Sequence, residues 1–200
     1  MSHRSSRRRK HRPNPDQKEE PMSINTEFDK IFCLYGKKYA LPKLFLKAVG
    51  MVESNLNTRA YRFEPKFWEV YLAKNPEWQN RNPELVSASF GICQIMFTTS
   101  AMLGLTGNSD EEIAESLYNP VININLGAKL LKKIHEKTIK EERLDIKYCL
   151  NKWAICAARY NGGSIKNPDD QGKLRNQLYV DKIFKIWYDL RQIENECPDE

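Results

Sequence analysis

Between residues 41 and 56 the chain reads LPKLFLKAVGMVESNL, and this stretch fixes more about the fold than any other. Leu41, Leu44, Phe45, Ala48, Val49 and Val52 recur at the period of a helix that buries one face. Pro42 suits a first helical position. The same period returns from Asn119 and Pro120 onward, with a stripe of Val121, Ile124, Ala128 and Leu131 joined by Leu130 and Ile134. Residues 148 to 160, YCLNKWAICAARY, read as a buried helix because apolar and small residues surround most of it. A last helix over 179 to 195 carries Tyr179, Ile183, Ile186, Trp187, Leu190 and Ile193. Ser109 and Glu112 have capping-box spacing for a short helix between. Gly-rich and polar joints fall at 55–64, 87–91, 104–109 and 161–177, and no alternating run is long enough for a sheet of consequence. The chain is therefore mainly α.

Glu53 extends the apolar stripe, since Phe45, Val49, Glu53 and Leu56 lie four, four and three apart. A carboxylate facing a core is protonated more readily than one in water, because desolvation disfavours its charge. That is what a general acid needs near neutral pH. A capping or salt-bridging carboxylate at a helix end is the other reading of the same residue.

Charge separates a tail from the body. Residues 1 to 20 hold seven Lys or Arg against three acids, net +4, so only +2 of the chain's +6 belongs to the rest. After Met1 this stretch has no apolar residue with which to offset its ordering entropy, which predicts a disordered basic tail over 1–22 and a folded domain over 23–197. Such a tail would make nonspecific contact with anionic polymers or simply aid solubility. The body, 40% hydrophobic for the whole chain, is an ordinary globular one.

No apolar h-region follows the basic start, and no stretch is long and apolar enough to span a bilayer, so synthesis in the cytoplasm without a Sec signal is expected. The five Cys, at 33, 93, 149, 156 and 197, are odd in number and scattered, unlike a disulfide framework. Cys149 and Cys156 are expected as small core residues rather than metal ligands. His occurs only at 3, 11 and 135 and no HExxH is present, so neither a metal nor a cofactor is expected. A cysteine hydrolase built on Cys93 and His135 lacks a signature, and His135 sits in a Lys-rich segment expected to be exposed.

Four short motifs occur in order: E-S at 53–54, G-x-x-Q-I-M at 91–96, N-P-x-x-N-I-x-x-G at 119–127 and A-x-Y-N-x-G at 158–163. In this order and spacing the chain resembles the soluble lytic transglycosylase, goose-lysozyme-like family over about residues 40 to 190. The resemblance implies a lysozyme-like helical domain with Glu53 as catalytic acid. It implies a glycan cleft lined by the segment with Gln94 and Met96, a mainly structural helix with Asn119, Pro120, Asn123 and Gly127, and Tyr160 beside the acid with Asn161 on sugar. Ile92 and Cys93 stand in place of the usual Leu and Met, Arg159 in place of a small residue and Gly162 in place of Ala.

The implied reaction cleaves the β-1,4 bond between N-acetylmuramic acid and N-acetylglucosamine. Glu53 would protonate the leaving oxygen, the substrate's N-acetyl group and C6 hydroxyl would replace nucleophile and water, and Glu53 would then take the C6 proton to leave a 1,6-anhydro end. Tyr160 would hold Glu53 by a hydrogen bond, with Ser89, Gln94 and Asn161 offered to sugars.

Glu64, across a polar loop from Glu53, would return as a second carboxylate in a muramidase, or else pair with Arg62. Tyr61, Phe63, Phe67, Trp68 and Tyr71 would pave the cleft or fill the core. A non-catalytic glycan-binding virion protein is the other class. The expected partner is peptidoglycan glycan strands, acted on by a monomer. A phage or prophage origin is expected, with access to the wall by holin release, virion delivery or specialised export.

Overall fold

The computed structural model describes residues 26–141, 151–162, 174, 176–195 and 197. The predicted tail, Cys149, Gly163 and most of the joint before Gln177 lie outside the described residues. The architecture is mainly α, as the apolar periods predict. Helices α1 (Asp29–Tyr39) and α2 (Lys43–Ser54) pack on one another. Two short turns of helix follow, α3 (Pro65–Phe67), which runs into a π-helical turn at Trp68–Leu72, and α4 (Pro83–Val86). Beyond them come α5 (Phe97–Met102), α6 (Asp110–Ser116), α7 (Pro120–Lys140), α8 (Lys152–Gly162) and α9 (Gln177–Ile193).

The centre of the molecule is α2, whose residues 43 to 50 are all buried. Pro42 is its N-cap rather than its first residue, and Leu44, Phe45, Ala48 and Val49 of the predicted stripe are sealed from solvent. The Phe45 ring meets Trp153 of α8 at 4.8 Å and Trp187 of α9 at 4.9 Å between centroids. Truncating such a ring to Ala costs about 3–5 kcal/mol, through lost transfer energy and the cavity left behind.

The predicted caps are present, with one difference. Asn119 accepts the N–H groups of Val121 and Ile122 at the start of α7. Ser109 accepts the Glu112 N–H at 3.2 Å, but the Glu112 carboxylate reaches back to the amide and side chain of Asn108 rather than to Ser109. His135 is not the exposed residue its Lys-rich surroundings predict. Its ring stacks on Trp153 with centroids 4.6 Å apart, its Nδ1 is buried without a hydrogen-bond partner among the described residues, and burial lowers its pKa.

Two features escape any reading of sequence spacing. Lys43 and Lys47 point inward from α2. The Lys47 ammonium, 1% exposed, lies 2.7 Å from Asp29 Oδ1 of α1 and 2.6 Å from Glu194 Oε1 just beyond α9. Lys43 donates to the Asn195 carbonyl and pairs with the same glutamate. Beside this cluster Cys33 of α1 is joined to Cys197 by a disulfide with Cα atoms 5.4 Å apart, which corrects the expectation drawn from the cysteine count. The partners are 164 residues apart, so only the folded chain makes them neighbours.

A small antiparallel sheet, ordered β1 (Tyr61–Phe63), β2 (Ala88–Phe90), β3 (Ile95–Met96), stands against the end of α2. Strands of two or three residues are too short to show a period of two.

Candidate active site

Why an acid stands at the end of α2 is answered by how the helix stops. Asn55 and Leu56 both take positive φ, +54° and +61°, and their N–H groups return to the Met51 and Gly50 carbonyls. This left-handed C-cap ends the helix just after Glu53 and turns the chain away. The Ser54 hydroxyl donates to the Ile92 carbonyl at 2.8 Å, tying the helix end to the turn between β2 and β3. Glu53 is thereby fixed on the last turn, partly buried, at the foot of a cleft.

Its electrostatics follow from that placement. Burial raises the Glu53 pKa above the ordinary carboxylate value, and the effect is partly offset by a hydrogen bond from Tyr179 and by the charge of Arg62. The Tyr179 hydroxyl, in the first turn of α9, donates to Glu53 Oε1 at 2.5 Å. Burial, with the charge of Glu53, holds the Tyr179 hydroxyl far above its usual range, so it acts only as a neutral donor. This is a carboxyl whose protonated form is favoured by burial rather than one locked as an anion in an ion pair.

Across the sheet, Arg62 pairs in register with Ser89 and Ser89 with Met96. These three side chains form one row on the same face, and all three line a hollow of about 620 Å³ that also contains Glu53. The sheet, unannounced in the sequence, therefore supplies one wall of the cleft. A second hollow of about 510 Å³ shares Glu53, Arg62 and Asn161 with the first and continues along α9 past Asn176, Gln177 and Lys182.

The wall is held by α7. Asn123 is fully buried; its Oδ1 accepts the Cys93 N–H at 2.7 Å and its Nδ2 donates to the carbonyls of Phe90 and Leu117, each at 2.8 Å. Gly91 has φ +69°, and a Cβ there would come within 2.5 Å of Asn123 Nδ2. At Gly127 a Cβ would meet Cys93 Sγ at 2.7 Å. The glycines and asparagine of the two middle motifs are thus one interlocked joint.

The residues expected to meet sugars divide as follows. Ser89, Gln94, Met96, Tyr160 and Asn161 all line the larger hollow with Glu53. Gln94 holds a positive φ of 47°, and its Nε2 donates to the Gly91 carbonyl. A left-handed conformation at a non-glycine residue costs about 1 kcal/mol or more and tends to mark functional turns.

Tyr160 does not bond Glu53. Its hydroxyl donates to the Cys93 carbonyl at 2.8 Å, and the bond expected of it is made by Tyr179 instead. The signal was available, because Tyr179 is the one residue on the α9 stripe whose apolar ring ends in a hydroxyl. Glu64 lines the same hollow, but Arg62 Nε donates to its Oε1 at 2.5 Å. Of the aromatic cluster, Phe67 and Tyr71 line the hollow, whereas the Tyr61 hydroxyl bonds the Glu84 carbonyl and its ring packs on Phe90.

Arg159, at the position that departs from the small residue usual in the motif, is buried, bonded to Thr138 at 3.0 Å and ion-paired with Glu141. It braces α8 against the end of α7. Cys93 is fully buried with its thiol held neutral, and it packs against Gly127, which leaves it no nucleophilic role. Among the described residues no group of His, Cys, Asp and Glu could hold a metal ion, and no helix is long and apolar enough to cross a membrane.

A helical domain with a desolvated carboxyl, Glu53, at the foot of a cleft that also holds the Arg62-paired Glu64 defines a class, the lysozyme-like glycan-cleaving proteins. The sequence model of the transglycosylase SLT domain matches residues 31–179. The chain belongs to that family and acts on peptidoglycan, by lytic transglycosylase or lysozyme-like chemistry. No curated protein sequence matches it. The match takes in every candidate cleft residue up to Tyr179 and stops before Lys182, Glu194 and Cys197.

Proposed function

We propose that the protein is a lytic transglycosylase that cleaves the β-1,4 bond between N-acetylmuramic acid and N-acetylglucosamine with Glu53 as its sole acid and base. The observation that carries this reading is the state of Glu53: half-buried, raised in pKa, and held by a neutral hydroxyl. As a carboxylic acid it gives its proton to the departing glucosamine oxygen while the C1–O bond breaks. The acetamido carbonyl oxygen of the muramic residue bonds to C1, then the C6 oxygen displaces it. The C6 hydroxyl proton passes to the Glu53 carboxylate, which restores the acid and leaves a 1,6-anhydro end. Tyr179 stabilises the carboxylate in the middle of this cycle. Ser89, Gln94, Met96, Tyr160 and Asn161 line the space a sugar would occupy, with donors and acceptors among them.

Glu64 supports a second reading, since it lines the same hollow. As a second carboxylate it would activate water and leave reducing ends. Its pairing with Arg62 favours the first reading. The Cys33–Cys197 disulfide is consistent with work in an oxidising compartment, where the wall lies.

The test is digestion of purified peptidoglycan followed by mass spectrometry. Glu53→Gln is expected to keep the fold and lose about a thousandfold or more in rate, because the amide can neither give nor take the proton. Products from the unaltered protein are expected to be lighter by one water than reducing ends and resistant to borohydride. Reducing ends together with a severe Glu64→Gln defect would establish the muramidase instead.

A further inference from the structure

The two hollows that meet at Glu53 both mix polar and apolar walls, but they differ in which side chains they add: Phe67, Tyr71, Met96 and Met102 stand only in the larger, Asn176, Gln177 and Lys182 only in the smaller. Lys182 stands out among the cations near the cleft. Arg62 is engaged by Glu64 and Arg159 by Glu141. Further along α9, Lys185 pairs with Asp189 and Arg191 lies over the Trp187 ring. Lys182 is exposed and makes no ion pair or hydrogen bond among the described residues, yet it lines the hollow. Its neighbour Asp181 is occupied by Gln177, whose Nε2 donates to it at 2.8 Å.

Position adds to this. Tyr179 and Lys182 are three apart on one helix, so their side chains are neighbours about 5–6 Å apart at Cβ. Tyr179 touches Glu53, so Lys182 stands one helical turn along α9 from the residue that holds the acid and lines the same hollow as it. The cation that acts on Glu53 itself is Arg62, not Lys182. A free ammonium close to the reacting centre but not acting on it fits a role in choosing substrate rather than in chemistry.

Resting on the transglycosylase reading, we propose that Lys182 is a specificity residue that recognises the carboxylates of the stem peptide carried by the muramic acid being cleaved. That peptide hangs from the same sugar whose C1 lies at Glu53, so it leaves the glycan within one ring of the scissile bond and carries its carboxylates outward from there. The smaller hollow is lined by amides already held by the protein, Asn176 bonded to the Ala158 carbonyl and to Asn161 and Gln177 bonded to Leu174 and Asp181, so the group it leaves for a charged ligand is the Lys182 ammonium. The larger, with its aromatic and thioether walls, is suited to unsubstituted sugar faces. The cleft would thus distinguish stem-bearing from denuded strands.

The experiment compares Lys182→Gln and Lys182→Glu with the unaltered protein on two substrates: peptidoglycan freed of phosphate polymers, and the same glycan stripped of its stems by an amidase. The quantity read is the ratio of kcat/KM on stem-bearing to stripped strands. It is expected to fall about 5- to 10-fold in Lys182→Gln and further in Lys182→Glu, where attraction becomes repulsion. Added salt is expected to lower this ratio in the unaltered protein and barely move it in Lys182→Gln. An unchanged ratio, or equal losses on both substrates, would overturn the proposal.

Cosedimentation of Glu53→Gln with the two glycans, with and without Lys182→Gln, reads the same preference without catalysis. If the unaltered protein left no anhydro ends, the transglycosylase reading would fail while this binding ratio still decided the role of Lys182. No preference for stem-bearing strands in the Lys182-containing form would reject it.

Discussion

The antiparallel pair α2 and α9 is held at its two ends by opposite chemistries. At the rear, Lys43 and Lys47 of α2 meet Glu194 beyond α9 and Asp29 of α1, and the Cys33–Cys197 disulfide closes over them. At the front, Glu53 of α2 meets the neutral hydroxyl of Tyr179 in α9. Both ends draw ionisable groups out of water. Only the rear end compensates each charge with an opposite one. The front leaves its carboxyl to be raised in pKa, which costs stability above that pKa and makes a proton available. One helix pair thus separates the task of holding the fold from the task of moving a proton.

The largest stability effect is expected at the rear. Lys47→Met should lower stability by about 3 kcal/mol, since it strips a buried cation from two carboxylates; denaturant unfolding measures this, and a loss under half a kcal/mol would mean the cluster does not hold the helix pair. Replacing Cys33 and Cys197 by Ser is expected to cost about 2–4 kcal/mol by the same measurement, while the rate per folded molecule stays nearly unchanged. A rate loss as large as the stability loss would show that the two ends are coupled.

At the front, Tyr179→Phe should leave the melting temperature nearly alone and lower kcat/KM about 10-fold, equivalent to about 1.4 kcal/mol. Because the lost hydrogen bond stabilises the Glu53 carboxylate, the alkaline limb of the pH profile should move to higher pH. A shift to lower pH would contradict the donor role. The smallest effect is a dependence on pH rather than a loss. With its folded pKa raised, Glu53 contributes stability that is full below pH 4.5 and lost as pH rises through the folded value. Glu53→Gln removes that loss, so its melting temperature relative to the unaltered protein should be higher at pH 8 than at pH 4. A difference constant with pH would show that Glu53 is not desolvated in the fold.

What could be read in advance also differs between the two ends. The α2 stripe and the placement of Glu53 on it followed from helical period, because periodicity records which face is buried. Lys43 and Lys47 broke that rule, since a buried cation is invisible until its partners arrive, for Lys47 from 18 and 147 residues away and for Lys43 from 152. The same limit hid the Cys33–Cys197 bond and the row Arg62, Ser89, Met96. Tyr179 is a different case: period places its ring on the buried stripe, and the hydroxyl at the ring's tip marks it as a polar partner without saying for which group. Asn123 was expected as structural from its motif, and its geometry gives the cause in three hydrogen bonds; Gly91, expected in the cleft-lining segment, belongs to the same joint, where a Cβ would meet Asn123.

That joint has a consequence for how the cleft moves. The amide of Cys93, in the turn between two strands of two or three residues, is bonded not to a strand but to the Asn123 carboxamide of α7. Its proton can exchange with solvent only when Asn123 withdraws, and Asn123 also carries the carbonyls of Phe90 and Leu117. This wall of the cleft should therefore open with the 21-residue helix that holds it rather than strand by strand, and breathe on the slow timescale of that helix.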